Sequence, residues 1–439
     1  MRQRQTRPRL IQAMFDAFRL PDLRNKILFT FAMLVIFRFV AHVPLPGVNP
    51  EVLSSLFEQN ALLGMLDMFS GGAMRNFSIV AMGVYPYITA SIIMTLMTPV
   101  IPYLQNLAQE GEAGRNKINR ITHWATVPMA GLAGYGQLVL LQRQGAVASA
   151  DLLPTVAMIL SLIAGTIFLV WIGELITEHG IGNGISIIIF GGIVAGYWQL
   201  IGSGVLVGQQ GQFMGLIVYL FIALATVVLI VIFTEAHRRI PVQYARTVYR
   251  GDRMYKQSGA THIPLRVNTA GMIPLIFAMS LTLFPGVLAS YFAGPESAPN
   301  FANTIRDVFN PGAAMPLGLL YWGFYFLLTI AFAFFYTMVM FQQQDLAGTL
   351  KRQGGFVPGI RPGKQTSDFF SGVILRITWA GALFLGLVAV IPFLSREITD
   401  VQVIQLSSLG LLIVVGVVLD TMKQMEAQLV MRRYEGFIK

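Results

Sequence analysis

The sequence is poor in charged residues and has no cysteine. Of its 439 residues, 12% are Asp, Glu, Lys or Arg, which is about half the fraction found in soluble globular domains. A soluble enzyme of two or three domains, which the length alone would allow, is therefore excluded. Without cysteine the chain cannot form disulfides, haem–thiolate ligation or iron–sulfur clusters.

Common catalytic and ion-transport patterns are also missing. There is no His-Glu-x-x-His pair for zinc, and residues 359–364 fail as a phosphate loop because the spacing is one residue short and Gln365 follows the lysine. Ion-coupled carriers place carboxylates or histidines at mid-membrane. Here the only acid in any long apolar run is Asp420, near one end of its run. We expect neither a cofactor nor a metal.

Long apolar runs are what the sequence has in abundance. It is 55% hydrophobic with a mean hydropathy of +0.63, and a spanning helix needs about 20 mostly apolar residues. Only Arg38, Arg376 and Asp420 are charged residues within the runs. We predict an all-α polytopic membrane protein with ten transmembrane helices. Their windows are 27–43, 77–99, 122–142, 152–173, 185–202, 213–234, 269–293, 316–341, 370–394 and 402–422.

Lys and Arg are concentrated in alternate connections between these windows. One set of connections, including both termini, holds 25 of them, and the other set holds 4. The positive-inside rule places the richer side, and hence both termini, in the cytoplasm. The net charge of +10 therefore reflects topology and not nucleic-acid binding. The basic N-terminal segment has no cleavable apolar core, so we expect no signal peptide.

The windows divide into two halves of five around the connection 203–212, with the basic loop 235–268 after the first span of the second half, and halves with an odd number of spans have opposite orientations. The second span of each half contains Gly-x-x-Pro-x-Ile, at 83–88 and at 271–276. Matching interruptions of this kind indicate the working site of a transporter-like protein, although Gly and Pro are common in membrane helices. The predicted units are a cytoplasmic segment at 1–26, a first half at 27–202, an external hinge connection at 203–212, a second half at 213–422 and a cytoplasmic tail at 423–439.

A short apolar segment, 62–69, lies in the external connection 44–76 and is followed by Ser70, Gly71 and Gly72. Eight residues are too few to cross the bilayer but suffice for two helical turns. An interfacial helix on the lipid and a re-entrant piece within a cavity both remain open.

Two basic cytoplasmic loops, 235–268 and 342–369, are longer than simple connections. The positive-inside rule explains their charge but not their length. Prolines and glycines on both sides of Arg361 indicate a fixed turn that displays this side chain. An exposed guanidinium suits an acidic or RNA-phosphate partner, and we interpret both loops as docking sites.

The interrupted spans offer aliphatic side chains at Val84, Ile88 and Ile276. A ring of such side chains is a dewetting gate, suited to a conduit for something large and chemically mixed; ordinary packing is the alternative. A secondary transporter or lipid flippase would need a polar site at mid-membrane. An intramembrane protease would use Ser186 with His179, which we interpret instead as parts of a tight interhelical link.

Several long motifs closely resemble the SecY family, the pore subunits of the bacterial protein-conducting channel. They lie in order along both halves, at 68–74, 85–92, 171–184, 238–242, 267–271 and 355–363. The resemblance implies a clamshell of two inverted five-helix halves that form an hourglass, and it implies no enzymatic activity. The chain would be a passive gated conduit in the bacterial cell membrane, for secretion of unfolded polypeptides and lateral insertion of hydrophobic segments.

The resemblance also implies roles for particular residues. The pore ring would comprise Val84, Ile88, Ile189, Ile276 and Ile413. The plug, at 62–74, would include Leu62, Leu63, Leu66, Asp67, Phe69, Ser70, Gly71 and Gly72. The lateral gate, between spans two and three and spans seven and eight, would include Thr89, Ser91, Ser280 and Thr282. Docking of the SecA ATPase or the ribosome would use Arg238, Arg239, Arg246, Arg250, Lys351, Arg352 and Arg361.

Further implied partners are the small subunits SecE and SecG, signal sequences, precursor polypeptides and membrane lipids. Three positions depart from the usual family pattern. His179 stands where Arg is more frequent, Tyr85 where Met is more frequent, and Val84 where isoleucine is often found. These differences affect the expected width and wetness of the gate.

Overall fold

A computed structural model describes most of the chain. The described residues are 20–59, 67, 70–143, 145–147, 152–209, 213–250, 253–269, 271–294, 300–313, 315–344, 346–399 and 408–435. Most of the predicted N-terminal segment 1–26 lies outside this part of the chain, as does the end of the tail 423–439.

Helices make up most of the described structure. In chain order they are α1 Pro21–Val40, α2 Pro50–Gln59, α3 Tyr85–Met97, α4 Pro102–Gln109, α5 Glu112–Arg143, α6 Leu152–His179, α7 Gly184–Gln209, α8 Phe213–Glu235, α9 Ile273–Phe292, α10 Phe301–Val308, α11 Leu317–Gln344, α12 Leu346–Arg352, α13 Lys364–Thr399 and α14 Ser408–Glu435. The strands are β1 His237–Arg250, β2 Arg253–Arg266 and β3 Gly355–Phe356.

Each of the ten predicted windows falls on one helix, namely α1, α3, α5 to α9, α11, α13 and α14. By length and composition, six helices of the described chain can cross a membrane, and a seventh span results if α3 and α4, bent by 97°, are counted together. Six of the ten window helices precede the β1–β2 hairpin and four follow it, so the hairpin lies between the first and second spans of the second half. The helix α7 continues to Gln209, so most of the predicted connection 203–212 is helical.

The second span of each half begins in the same way. Gly83 and Gly271 both have left-handed backbone angles, with φ of 55° and 65°, and glycine adopts this region without steric cost. The next residues cap α3 and α9 with similar angles, φ −93° and ψ 6° at Val84 and φ −89° and ψ −11° at Met272. In each helix a proline occupies the first turn, where its missing N–H costs no hydrogen bond. The repeated motif thus produces a repeated helix start.

The two basic loops form a sheet that the sequence analysis did not predict. Its strand order is β2-β1-β3. The hairpin pairs His237 with Arg266 at its base, and β3 pairs with β1 through Gln243 opposite Phe356. Alternation along β1 buries Ile240 and Val242. These side chains pack in a small core with α12 and the beginning of α13, so the hairpin and the loop between α11 and α13 form one body.

The main hydrophobic core runs through both halves. It joins buried side chains of α3, α6, α7, α9, α11, α13 and α14. A second core lies entirely within the first half and packs the turns before α3 against α2, α5 and α6. The residues that enter α3 are therefore held on two sides.

Candidate functional site

The five predicted ring residues are all buried in the main hydrophobic core. Val84 precedes α3, Ile88 lies in α3, Ile189 in α7, Ile276 in α9 and Ile413 in α14. All five belong to the main core cluster, and none is more than 8% exposed. We call this set the waist. Each half contributes to it, because Ile88 and Ile276 occupy equivalent places after the repeated helix start.

The chemistry of the waist is purely aliphatic. Branched hydrocarbon side chains make no directional bonds, and their attraction depends on apolar area removed from water. Such a ring excludes water and ions when its members are in contact. It also adapts to a polypeptide of any sequence, because it offers no hydrogen-bonding group that a passing chain must match.

Four predicted plug residues lie in the described part of the chain: Asp67, Ser70, Gly71 and Gly72. Ser70 Oγ donates to the Asp67 carbonyl oxygen at 2.9 Å, and the Met74 N–H donates to Ser70 Oγ at 3.0 Å. The Gly72 N–H donates to the Asp67 carbonyl oxygen at 3.0 Å. The other predicted plug residues are outside the described chain, namely Leu62, Leu63, Leu66 and Phe69.

The carboxylate of Asp67 is buried and has charged and polar partners. The Arg75 N–H donates to Asp67 Oδ1 at 3.1 Å, and Arg75 Nε lies 3.1 Å from Asp67 Oδ2. Burial raises the pKa of the Asp67 carboxyl, while the hydrogen bond and the positive charge of Arg75 oppose this rise. The described residues from Asp67 to Arg75 are thus tied to one another. We call Asp67 together with residues 70–75 the plug segment.

The plug segment contacts two spans of the first half. Arg38 Nη1, in α1, donates to the Gly71 carbonyl oxygen. Gly71 also lies directly against Gly192 of α7, where a Cβ added to either glycine would meet the other Cα at about 2.6 to 2.7 Å. Arg38 and Gly192 were not among the predicted site residues. The signal for Arg38 was present, since it is a charge in an otherwise apolar window.

The predicted lateral-gate residues lie on α3 (Thr89 and Ser91) and on α9 (Ser280 and Thr282), and these two helices contact each other. Ser280 is buried in α9, and the Tyr85 side chain, at the start of α3, lies beside the side chains of Ser280 and Thr89. The Thr282 hydroxyl donates instead within its own helix, to the Ala278 carbonyl oxygen at 2.7 Å. The tyrosine that departs from the family pattern therefore bridges the two halves.

The predicted docking residues are gathered on and beside the sheet. Arg238 and Arg239 are exposed on β1, and Arg246 and Arg250 lie further along the same strand. The remaining three are exposed and come from the loop between α11 and α13, namely Lys351, Arg352 and Arg361. A contact of 3.5 Å between Tyr244 Oη and Gln353 Oε1 joins the hairpin to this loop. The fold thus brings two distant basic loops onto one surface.

The base of the hairpin is tied to α14, the helix that carries Ile413. Arg266 Nη1 lies 3.8 Å from Asp420 Oδ1, and Lys423 Nζ lies 2.6 Å from Glu235 Oε1. A cavity of about 320 Å³ beside these pairs is lined by Met272 and Val417 among others. Val417 is one helical turn from Ile413, so this cavity adjoins the waist on its hairpin side. Asp420, the only acid in a predicted span, has here a structural partner.

Ser186 and His179 occupy structural positions. The Ser186 N–H donates to Asn183 Oδ1 at 3.1 Å, in the first turn of α7. The His179 ring packs against Phe29 with centroids 5.9 Å apart. The two residues lie at the end of α6 and in the first turn of α7, on either side of the short link between these helices.

Comparisons with known proteins agree with this architecture. The family model described as SecY matches residues 78–422. The protein translocase subunit SecY of Halalkalibacterium halodurans is 43% identical, over 98% of this chain and the whole of the relative. A solved protein-conducting channel superposes with a TM-score of 0.64 at 15% identity, covering 95% of this chain and 97% of the channel. Sec61 in a canine ribosome–channel complex superposes with a TM-score of 0.62 at 14% identity, with the same two coverages.

The likeness to solved channels supports the ten-helix clamshell, and the relatives supply the family. A family model that covers most of the chain agrees with a relative that is similar from end to end. The relatives are channel subunits and not enzymes, and the chain is a multi-pass membrane protein. It belongs to the SecY family of protein translocase subunits.

Proposed function

We propose that this chain is the central channel subunit of a Sec translocon, in which the waist is the constriction of the pore. It conducts unfolded polypeptides across the membrane and releases hydrophobic segments sideways into lipid. The halves at 27–202 and 213–422 move apart around the connection 203–212. The chain performs no chemistry itself, and a bound motor or ribosome supplies energy and direction.

The observation that carries this proposal is the composition and position of the waist. Five aliphatic side chains from four helices and both halves lie in one buried cluster. A small-solute transporter would need polar groups at this point to hold its substrate. A buried ring without polar groups instead seals around a moving chain and closes when that chain has passed.

The plug segment and the α3–α9 contact supply the two remaining parts of the channel. The plug segment lies beside the waist, because Ala73 belongs to the same core cluster, and it seals the resting pore. Separation of α3 from α9 opens a path to lipid, where segments of about 20 apolar residues partition out. Thr89, Ser91, Ser280 and Thr282 line that path.

The orientation follows from the distribution of Lys and Arg. The docking sheet lies on the basic side, which we place in the cytoplasm of a bacterial cell together with both termini. SecA and the ribosome bind the exposed arginines of this sheet. In support, a structural relative, Sec61, is found in a canine ribosome–channel complex. SecE and SecG complete the assembly around the spans.

Site-directed crosslinking tests the pore directly. Because the chain has no cysteine, single substitutions to Cys at Ile88, Ile189 and Ile276 give unambiguous positions. A stalled secretory precursor with one cysteine should form disulfides with each of the three. Leu387→Cys, at an exposed position of α13, is the matched control and should form none. Equal crosslinking at Leu387, or none at the waist, would contradict the proposal.

The docking role is tested at Arg361. Reversing its charge should weaken motor binding, because juxtaposed like charges cost several kcal/mol, or about a tenfold loss at least. We expect Arg361→Glu to slow SecA-driven export into vesicles by about that factor, while the amount of folded chain in the membrane is unchanged. Arg361→Lys keeps the charge and should retain part of the activity. Normal export by Arg361→Glu would rule out a docking role for this residue.

A further inference from the structure

Arg38 is one of three charged side chains in the predicted spans, and its position requires a physical explanation. A charge inside a membrane span is expensive unless it faces the protein and has a partner. The Arg38 side chain is half-buried, and its Nη1 atom donates to the carbonyl oxygen of Gly71, 33 residues further along the chain. The carboxylate of Asp67 adds an electrostatic interaction with the same guanidinium. Both partners belong to the plug segment.

A second contact fixes the same point of the plug segment. Gly71 has a left-handed φ of 68°, and its backbone touches the backbone of Gly192 in α7. A methyl group added at Gly192 would lie 2.7 Å from the Gly71 Cα and 3.2 Å from its nitrogen. Neither group can move aside as the end of a flexible side chain can. The approach therefore depends on the absence of a side chain at both positions.

The plug segment is tied together internally, so holding Gly71 holds the whole segment. Asp67 bonds to Arg75 at its far end, and Ser70 links Asp67 to Met74. Ala73 is buried in the main core, and Met74 is buried in the second core, within the first half. A hydrogen bond from α1 and a backbone contact with α7 thus fix a small closed unit beside the waist.

We propose that Arg38 and Gly192 are positioning residues that together hold the plug segment in its closed place. Opening of the channel breaks the bond from Arg38 to Gly71 and separates Gly71 from Gly192. The strength of this hold sets how readily an incoming polypeptide opens the pore. The inference rests on the proposed sealing role of the plug segment, and it adds the residues that keep the segment closed.

The accessibility of position 73 measures how firmly the plug segment is held in place, and this measurement does not depend on transport. In the cysteine-free chain, Ala73→Cys introduces one thiol at a fully buried position of the plug segment. The rate at which a small polar maleimide labels this thiol, in the purified full-length complex in proteoliposomes, reports how often the segment leaves its place. Ion conductance of the same vesicles separately reports the seal.

Removing either contact should release the segment. A hydrogen bond to a charged group contributes enough that Arg38→Gln should speed labelling about tenfold. Gly192→Ala should speed it by a similar factor, because its methyl group overlaps the Gly71 backbone. Arg38→Lys keeps a charged donor and should restore most of the wild-type rate, which a purely structural role for the arginine would not explain.

Two control variants match these changes. Gly196→Ala is one turn further along α7, and its Cβ meets nothing within 4 Å, so labelling should stay at the wild-type rate. Arg376→Gln removes an exposed arginine from another span and should also have no effect. Wild-type labelling in both Arg38→Gln and Gly192→Ala, or an equal rise in Gly196→Ala, would overturn the proposal.

The two measurements separate this inference from the proposed function. Faster labelling with unchanged conductance would confirm that Arg38 and Gly192 hold the segment, and it would remove the sealing role from the proposed function. Unchanged labelling would overturn the positioning role whatever the conductance shows.

Discussion

The second spans of the two halves begin in the same way, but the segments that precede them differ. α3 and α9 start with the same left-handed glycine, the same cap geometry and a proline in the first turn. Before α3, however, the chain forms buried turns from the plug segment. Before α9 the chain comes from the exposed base of the β1–β2 hairpin. The same local motif places one isoleucine from each half in the main core, while the preceding chain supplies the proposed seal in one half and the proposed docking surface in the other.

This comparison shows which differences between the halves have consequences. Ile88 and Ile276 are equivalent and face the same cluster. Tyr85 and Ile273 are also equivalent, but only Tyr85 has a hydroxyl, and it reaches across to Ser280. The halves are therefore symmetric in the waist and asymmetric at the lateral gate.

The largest expected effect comes from polar substitutions in the waist. An amide buried among aliphatic side chains costs about 1 to 3 kcal/mol, which shifts the closed state towards open by about ten- to a hundredfold. Ile88→Asn and Ile276→Asn should therefore each raise the ion conductance of reconstituted vesicles strongly and by similar factors. Ile88→Leu keeps the volume and serves as the control. A large effect at one position and none at its equivalent would refute the symmetric waist.

A smaller effect is expected at the two left-handed glycines. An L-residue in this conformation costs about 1 to 2 kcal/mol. Gly83→Ala and Gly271→Ala should each lower the free energy of unfolding in detergent by about this amount. At Gly271 a Cβ would meet nothing within 4 Å, so the cost there arises from the backbone alone. Gly372→Ala, in open space on α13, should not be destabilising; an equal loss there would show that the helix starts are not special.

The smallest effect concerns the asymmetric position. Tyr85→Phe removes a single hydroxyl, whose hydrogen bonds contribute about 0.5 to 1.5 kcal/mol. We expect insertion of a marginally hydrophobic test segment to rise a few-fold. In a double-mutant cycle with Ser280→Ala the two effects should not add. The same cycle with Thr282→Val should be additive, because that hydroxyl bonds within its own helix. Additivity in both cycles would show that Tyr85 does not act at the lateral gate.

Much of the fold could be predicted because membrane spans depend on local composition. Every apolar window overlaps a helix, since a backbone in lipid must satisfy its hydrogen bonds within one segment, although residues 77–84 of the second window form turns before α3. The repeated glycine and proline are also local signals, and they predicted matching interruptions in the two halves. The β sheet was missed because its strands lie in loops whose basic residues indicate topology more strongly than strand periodicity.

The residues of the candidate site could likewise be predicted only in part. The waist residues were assigned through family resemblance, and the structure places all five in one cluster. Arg38 was noticed as an isolated charge, but its partner Gly71 is distant in sequence and its donor–acceptor geometry cannot be derived from composition. Nothing in the sequence marked Gly192 as a site residue, because glycine is common in membrane helices. Its meaning depends on which backbone passes beside it.

The sequence by itself determined the class of protein and the order of its apolar segments, and it predicted their division into halves and the side on which the basic loops lie. These properties follow from how many apolar residues occur in succession and where charge interrupts them. Only the tertiary structure decided that two basic loops share one sheet, that Tyr85 meets Ser280, and that Arg38 and Gly192 meet Gly71. Those contacts join residues remote in the chain, and they depend on the packing of whole helices, which no local pattern specifies.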